Sequence, residues 1–181
     1  MDRQPVLEGE RLLLRPLVPD DWQALFAVAA DRELWALHPI HDRWQEGVFR
    51  AFFADALAQR GALVVVDKAR GAIIGSSRFQ GYDRADGGRV EIGWSFLARS
   101  HWGTGANAEM KRLMITHAHK YVDCVEFQVG SANIISRKAM ANIGGRLTDR
   151  ITIVDTPDKG AIEHVVYEIR REDFAHGPLA G

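Results

Sequence analysis

Three apolar, β-branched runs follow one another in the middle of the chain and limit the fold more than any other feature. They are Ala62–Val66 (ALVVV), Ala72–Phe79 (AIIGSSRF) and Arg89–Leu97 (RVEIGWSFL). The turn Asp67-Lys-Ala-Arg-Gly71 joins the first two, and the polar loop YDRADGG precedes the third. A parallel crossover needs a connection of about a dozen residues or more, so these short connections predict antiparallel strands in sequence order. This part of the chain is therefore predicted to form an antiparallel meander.

Helix and strand patterns on both sides of the meander predict a mixed α/β fold. The run RLLLR (11–15) predicts a strand, and Asp20 with Gln23 resembles a capping box that opens a helix to residue 29. After the meander, apolar residues at helical spacing predict an amphipathic helix over 106–121, with Lys111 outside its apolar stripe. The other predicted elements are helices at 43–59 and 136–143, a strand at 124–129, and a closing strand pair at 146–154 and 162–169 around the turn TPDKG.

Composition and charge favour a cytoplasmic protein with a small partner. The 181 residues include 23 Lys and Arg against 24 Asp and Glu, and this balance gives no electrostatic reason for a nucleic acid or an anionic membrane as partner. The single cysteine, Cys124, excludes an intrachain disulfide and is interpreted as a buried hydrophobe rather than a reactive thiol. The three leucines at 12–14 indicate neither a signal peptide nor a membrane span. We expect one domain over 1–181, with residues 175–181 frayed.

A glycine turn before the amphipathic helix carries the main functional signal. The stretch HWGTGANAEMK (101–111) places two glycines one residue apart, where backbone amides can approach an anion closely. It lacks the Gly, Lys and Ser or Thr spacing of a phosphate-binding P-loop. Gly103-Thr-Gly105-Ala-Asn-Ala108 satisfies the dinucleotide pattern G-x-G-x-x-A, with Asp123 downstream. A dinucleotide fold opens a series of parallel βαβ units, however, so the preceding antiparallel meander argues against it.

Four motifs in a fixed order resemble the GNAT acetyltransferase superfamily, in the branch of RimJ/RimL-type N-terminal acetyltransferases. They are Glu10-Arg-Leu-Leu-Leu-Arg-Pro16, Val90-Glu-Ile-Gly-Trp94, the glycine turn, and Asn133-Ile-Ile-Ser136 before Gly144. The resemblance covers nearly the whole chain. It implies the GNAT fold, an α+β arrangement with a mixed, mostly antiparallel sheet, together with acetyl-CoA as co-substrate, no metal, and an amine acceptor. Relatives commonly dimerise, so a homodimer is one assembly that the resemblance allows.

The resemblance also implies which residues bind the coenzyme. The pyrophosphate loop of the superfamily aligns Trp102 with its Gln or Arg, and Asn107 with its final Gly or Ala. Asn107 departs from that pattern, and it either adds a side-chain donor to phosphate or caps the helix. Phe96 and Leu97 are expected to offer backbone groups to the pantetheine arm and the acetyl carbonyl. Asn133 is expected to hydrogen-bond pantetheine, or to cap the helix that follows. The amides expected at the pyrophosphate belong to Gly103, Thr104, Gly105, Ala106, Asn107 and Ala108.

Two residues are candidates for the proton transfers of acyl transfer to an amine. Glu91 lies in the strand that leads to the implied acetyl position, and it acts as general base, orders a water that does so, or is a surface or ion-pair glutamate. His101 and His117 are weaker candidates that fit loop and helix-face positions. Met140 occupies the register of the superfamily's acidic tyrosine, so Ser136 is the candidate acid. A thiol pKa of about 8.5 makes protonation of the leaving group a modest requirement.

The predicted function is transfer of an acetyl group to a primary amine by direct attack in a ternary complex. An α-amine with a pKa of about 8 is neutral at pH 7 far more often than a lysine amine near ~10.4. This favours a peptide N-terminus, an amino acid or a small amine as acceptor. The alternatives are a non-catalytic acyl-CoA-binding module and transfer of another acyl group such as succinyl. Candidate pocket residues, which also fit packing, are Trp35, His38, His41, Trp44 and the segment 155–162.

Overall fold

An eight-stranded sheet forms the centre of the protein, which a computed structural model describes over residues 1–156 and 160–180. The strands are β1 (Leu7–Glu8), β2 (Leu12–Pro16), β3 (Ala62–Asp67), β4 (Ala72–Asp83), β5 (Arg89–Leu97), β6 (Cys124–Gly130), β7 (Arg146–Thr156) and β8 (Gly160–Arg170). The α-helices are α1 (Trp22–Ala29), α2 (Glu46–Gln59), α3 (Ala106–Ala118), α4 (Ile134–Asn142) and α5 (Arg171–Phe174). Across the sheet the order is β1-β2-β3-β4-β5-β6-β8-β7.

One parallel pair joins two antiparallel halves of this sheet. Strands β1 to β5 pair antiparallel in sequence order, and β6, β8 and β7 form a second antiparallel group. The halves meet where Arg89, Val90 and Glu91 of β5 pair parallel with residues 124–126 of β6. That register ends at Glu91, although β5 continues to Leu97 and β6 to Gly130. The two strands therefore diverge and leave a cleft between them.

Hydrophobic clusters on the two faces of the sheet hold the helices in place. Each fully buried leucine or phenylalanine contributes roughly 1.5–3 kcal/mol. Helices α3 and α4 pack on one face, in a cluster that includes Phe79, Val90, Ile92, Met110, Met114 and Met140. Helices α1 and α2 pack on the other face, in a cluster that includes Leu25, Trp35, Phe49, Phe53 and Val64. Both ends of the cleft therefore rest on rigid elements.

The predicted order of elements is confirmed, and most differences lie at element ends. The meander is present, and β5 spans the predicted residues 89–97. Strand β4 continues to Asp83 because it keeps pairing with β5 beyond the predicted Phe79. Helix α3 ends at Ala118 rather than 121, and α2 begins at Glu46 rather than 43. The turn residues 157–159 of the predicted closing hairpin lie outside the described residues.

One local prediction is wrong. The capping box assigned to Asp20 and Gln23 is absent, since a 3₁₀ helix covers Pro19–Asp21 and the carboxylate of Asp21 accepts the amide of Val18 at 2.9 Å. The tail at 175–181, which the sequence predicts to fray, packs one apolar side chain against the core. Leu179 is 8% exposed within the core. In addition, no helix of the described residues is long and apolar enough to span a membrane.

Candidate active site

Glu91 lies at the point where β5 and β6 separate. It is the last β5 residue in the parallel register, opposite Glu126. Its Oε2 accepts a hydrogen bond of 3.0 Å from Nε2 of Gln128 on β6, so the carboxylate bridges the start of the cleft. A Cβ placed on Gly93 would lie 3.1 Å from Oε1 of Glu91, so the carboxylate extends along β5 towards Gly93. The backbone of Gly93 thus leaves room for the acid.

The surroundings of Glu91 raise its pKa to about 7. Burial is the largest cause, because it disfavours the charged form, and the charge of Glu126 acts in the same direction. The hydrogen bond from Gln128 and the charge of Lys111 oppose the shift. A carboxylate with a pKa near neutral pH can both accept and release a proton there, which is the property that a general base needs.

Lys111 is buried beneath this cleft, although the sequence analysis placed it outside the apolar stripe of α3. The residue is 2% exposed, and its Nζ donates to Oγ of Ser95 at 2.6 Å. A second hydroxyl, that of Ser77, lies 2.7 Å from the same Ser95 oxygen. Burial lowers the pKa of Lys111 to about 7, and the charge of Glu91 partly offsets this. A signal was present in the sequence, since Met114 and Ile115 stand three and four residues further along the helix on the same buried face.

The glycine turn adopts the backbone shape that its sequence predicts. Gly103 has φ +71° and Gly105 has φ +86°, in the left-handed region that favours glycine. Gly105 is the N-cap residue of α3, so Asn107 falls within the first turn and is not the N-cap. The first amides of an α-helix have no partner within the helix, and the N-terminal end carries partial positive charge. The turn can therefore hold an anion such as a pyrophosphate.

Side-chain contacts from both neighbours fix the turn in place. Nε1 of Trp102 donates to the carbonyl of Leu97 at 2.9 Å, which ties the turn to the end of β5. Nη1 of Arg11 donates to the carbonyl of Thr104 at 2.8 Å. Glu109 then accepts hydrogen bonds from the Arg11 amide and Nε at 2.8 and 2.9 Å. The N-terminus of α3 is thereby attached to β2 as well as to β5.

Asn133 and Ser136 lie at the far side of the cleft, where α4 begins. The side chain of Asn133 caps the helix, because its Oδ1 accepts the amide of Ser136 at 3.1 Å. The capping alternative for Asn133 is thus observed, and only its side-chain nitrogen is left for a further ligand. Ser136 is half-buried in the first turn of α4, whereas Met140 is buried in the core.

The segment 36–45, which crosses from α1 towards α2, reaches the end of β6. A Cβ on Gly130 would come within 2.8 Å of Cγ of Pro39, so the two residues are in close contact. Trp35 lies just before this segment and is a core residue rather than a pocket wall, since it is buried and donates to the carbonyl of Ala29 at 2.7 Å. His38 is half-buried, and its Nδ1 accepts the amide of Ile40 at 2.9 Å.

Other candidate side chains have structural roles. Nε2 of His117 lies 2.8 Å from the carbonyl of Asp2, and Nε2 of His101 lies 3.4 Å from Asp67. Burial and the charges of Glu168 and Glu126 raise the pKa of Cys124 to about 11, which keeps the thiol protonated and unreactive. Trp44 is half-buried beneath the guanidinium of Arg32, which lies 5.7 Å from its ring centre. These contacts account for the side chains without a catalytic role.

The divided sheet, the glycine turn at a helix N-terminus and the carboxylate in the cleft define an acyltransferase. The sequence model of the acetyltransferase (GNAT) domain matches residues 11–146, so the chain belongs to this family of enzymes. Members of the family transfer an acyl group from coenzyme A to an amine. The predicted fold, superfamily and enzyme class are thereby confirmed.

Solved structures share the fold at low sequence identity. A probable acetyltransferase of the GNAT family from Chromobacterium violaceum is 22% identical, with a TM-score of 0.81 over 93% of this chain and 87% of that one. A GCN5-related N-acetyltransferase from Brucella melitensis is 19% identical, with a TM-score of 0.80 over 98% and 82%. RimJ of Mycobacterium smegmatis, solved in complex with CoA-disulfide, is 18% identical, with a TM-score of 0.70 over 93% and 86%.

Proposed function

We propose that the protein transfers the acetyl group of acetyl-CoA to a primary amine by direct attack in a ternary complex. The observation that carries this proposal is the carboxylate of Glu91, with a pKa raised to about 7, at the closed end of the cleft, where β5 and β6 separate. An amine that enters the cleft arrives mostly as an ammonium ion at neutral pH. Glu91 accepts its proton directly or through water, so that the nitrogen lone pair becomes available for attack.

The coenzyme would lie along the cleft from the glycine turn to the end of β5. The amides of Gly103 to Ala108 would hold the pyrophosphate, and the Asn107 side chain would add a donor. The carbonyl of Leu97 already accepts Nε1 of Trp102, so the thioester would meet the amides of Phe96 or Leu97 rather than that carbonyl. Asn133 would donate its side-chain nitrogen to pantetheine. When bound, acetyl-CoA supplies the activated acyl group.

Ser136 is proposed as the acid that protonates the departing thiolate. It lies in the first turn of α4, which begins shortly after the end of β6 in the chain. Because a thiol with a pKa of about 8.5 is a good leaving group near neutral pH, a weak acid or a water molecule suffices. On the β5 side of the cleft, Nζ of Lys111 donates to the hydroxyl of Ser95 at 2.6 Å.

An α-amine is the proposed acceptor, as in the RimJ/RimL-type branch. RimJ of Mycobacterium smegmatis shares the fold at a TM-score of 0.70, and a probable acetyltransferase from Chromobacterium violaceum shares it at 0.81, so the choice of an α-amine rests on the pKa of the acceptor. An α-amine has a pKa of about 8, which is within reach of a base with a pKa of about 7. A lysine side chain at ~10.4 is a poorer match for that base.

Release of coenzyme A thiol with a panel of amines tests the proposal. Acetyl-CoA and succinyl-CoA are compared as donors, and calorimetry measures their binding. Glu91→Gln and Ser136→Ala should each lower kcat by about tenfold or more, while Glu46→Gln and Ser100→Ala on the surface serve as matched controls. Tight acetyl-CoA binding without thiol release from any amine would instead identify a non-catalytic binding module. Faster release from succinyl-CoA would replace the acetyl group by a succinyl group.

A further inference from the structure

Arg78 carries two buried donor groups that no described residue satisfies. It lies in the middle of β4 and is 2% exposed. Its Nη1 donates to Oδ2 of Asp55 on α2 at 2.7 Å and to Oε1 of Gln80 at 3.3 Å. Within residues 1–156 and 160–180, its Nε and Nη2 have no hydrogen-bond partner. A buried charged donor without a partner destabilises a protein, so an ordered water or a ligand is expected at these two atoms.

The geometry of these two atoms selects a planar anion. Nε and Nη2 form one edge of the guanidinium, where two N–H bonds point the same way. This fork matches the two oxygens of a carboxylate, which it binds with a pair of parallel hydrogen bonds. Asp55 already occupies the other side of the guanidinium, through Nη1. The edge formed by Nε and Nη2 can therefore bind a carboxylate, as Nη1 already binds that of Asp55.

A second buried guanidinium, that of Arg43, adds positive charge near Arg78. Arg43 is 8% exposed, and its Cζ lies 4.7 Å from the centre of the Phe52 ring. The Cζ of Arg78 lies 5.8 Å from the same ring centre. Burial, and next the positive charge of Arg78, lower the pKa of Arg43 to about 10, while Asp42 acts in the opposite direction. The negative partner of Arg78, Asp55, is 51% exposed and so compensates only part of the charge.

The fork lies on the same face of the sheet as the candidate base. Arg78 pairs with Gly93 and Gln80 pairs with Glu91 in the antiparallel register of β4 and β5. Paired residues of antiparallel strands point to the same face, and residues two apart do so as well. Arg78 and Glu91 therefore share a face and are offset by two residues, which is roughly 7 Å along the strand.

Access to the fork depends on a single layer of aromatic side chains. The Trp94 ring centre lies 4.9 Å from Cζ of Arg78, and the Phe52 ring covers the guanidinium from α2. Both rings are half-buried, so their outer surfaces face solvent. Trp94 follows Gly93 in the strand that lines the cleft, and its φ of +52° is unusual for a side chain of this size. A ligand would therefore reach the fork by displacing these rings.

We infer that the acceptor of this enzyme is an amine that also bears a carboxylate, which the Nε and Nη2 fork of Arg78 binds while the amine faces Glu91. Arg43 adds a second positive charge to the same anion site. This inference rests on the proposed function and specifies its acceptor. The offset between fork and base suits a small molecule whose carboxylate lies a few bonds from the amine, such as an amino acid.

The test compares amines that differ in the anionic group, with each KM expressed as the concentration of neutral amine because that group also shifts the pKa of the amine. Amino acids with one to five carbons between amine and carboxylate are each paired with their carboxamide and with the phosphonate analogue. Thiol release gives KM for each, with Arg78→Gln and Arg78→Lys beside the wild type. Arg50→Gln is the matched control, since Arg50 lies exposed on α2 over the ring of Trp22. A second measurement needs no turnover: calorimetric titration with the N-acetylated forms of the same compounds.

For the best pair, KM of the carboxylate should be at least about tenfold below that of the carboxamide. Arg78→Gln and Arg78→Lys should both remove this preference, the latter because an ammonium group lacks the fork, and Arg50→Gln should retain it. Equal KM values within every pair, or a preference for the phosphonate, would overturn the inference while thiol release upholds the proposed function. If no amine releases thiol, the proposed function fails, and calorimetry alone decides whether Arg78 binds the carboxylate. If Arg78→Gln does not fold, Arg43→Gln takes its place in both measurements.

Discussion

Replacement of Lys111 by methionine should change how stability depends on pH. The ordinary pKa of a lysine is 10.5, and burial lowers that of Lys111 to about 7 in the folded protein. Between these two values the unfolded chain binds one proton more than the folded chain. Stability therefore rises with pH in this interval, by about 1.4 kcal/mol per unit. Below pH 7 both states carry the proton, and the lysine adds no slope.

The magnitude follows from the interval that an experiment can cover. From pH 7 to pH 9 the contribution of Lys111 to the free energy of unfolding should rise by roughly 2–3 kcal/mol. Lys111→Met lacks this pH-dependent contribution. The free energy of unfolding of the wild type should therefore rise by that amount relative to the variant between pH 7 and pH 9. Because the residue is 2% exposed, solvent screening removes little of the effect. Other titrating groups cancel in the difference except Glu91, whose pKa rises further without the charge of Lys111, so that it lowers the stability of the variant further over the same interval.

Urea unfolding at pH 7, 8 and 9, followed by tryptophan fluorescence at constant ionic strength, measures the difference. Lys120→Met, which removes an exposed lysine just after α3, is the control and should run parallel to the wild type. In the wild type, Glu91 contributes the opposite dependence of stability on pH. Its pKa is raised from 4.5 to about 7, so stability falls as the pH rises between those values. A constant difference between wild type and Lys111→Met from pH 7 to 9 would refute the reasoning.

Three further predictions concern the cleft and the turn. Wild-type kcat should rise with pH through about 7 as Glu91 loses its proton, and Glu91→Gln should lose this step in a pH–rate profile. Gly105→Ala forces a side chain into φ +86°, so it should lower the free energy of unfolding by about 1–2 kcal/mol and raise KM for acetyl-CoA. Gly47→Ala on α2, where an added Cβ meets nothing within 4 Å, should have neither effect. Glu109→Gln should cost about 2 kcal/mol in chemical denaturation, because it weakens three hydrogen bonds around Arg11. Glu46→Gln, which breaks an exposed ion pair, should cost less than about 1 kcal/mol.

Local sequence patterns predicted the helices and strands of this fold. The surroundings of individual side chains depend on long-range packing and could not be predicted in the same way. The meander and the glycine turn could be predicted because short connections and glycines act within a few residues. The spacing to Met114 and Ile115 signalled that Lys111 is buried, but its contact with Ser95 depends on how α3 lies on a sheet built from distant segments. Arg78 gave no signal in a β-branched run, and its fork is visible only once α2 brings Phe52 and Asp55 over β4.

The short parallel register between β5 and β6 also bears on how the molecule can deform. Three residue pairs join the two halves of the sheet, whereas antiparallel ladders hold each half together internally. A change in the angle between the halves would have to occur at this junction, since it would break no ladder on either side. A ligand that contacts both β5 and α4 would oppose such bending. The width of the cleft therefore depends on this junction and on the core cluster that joins Val90 of β5 to Val125 of β6.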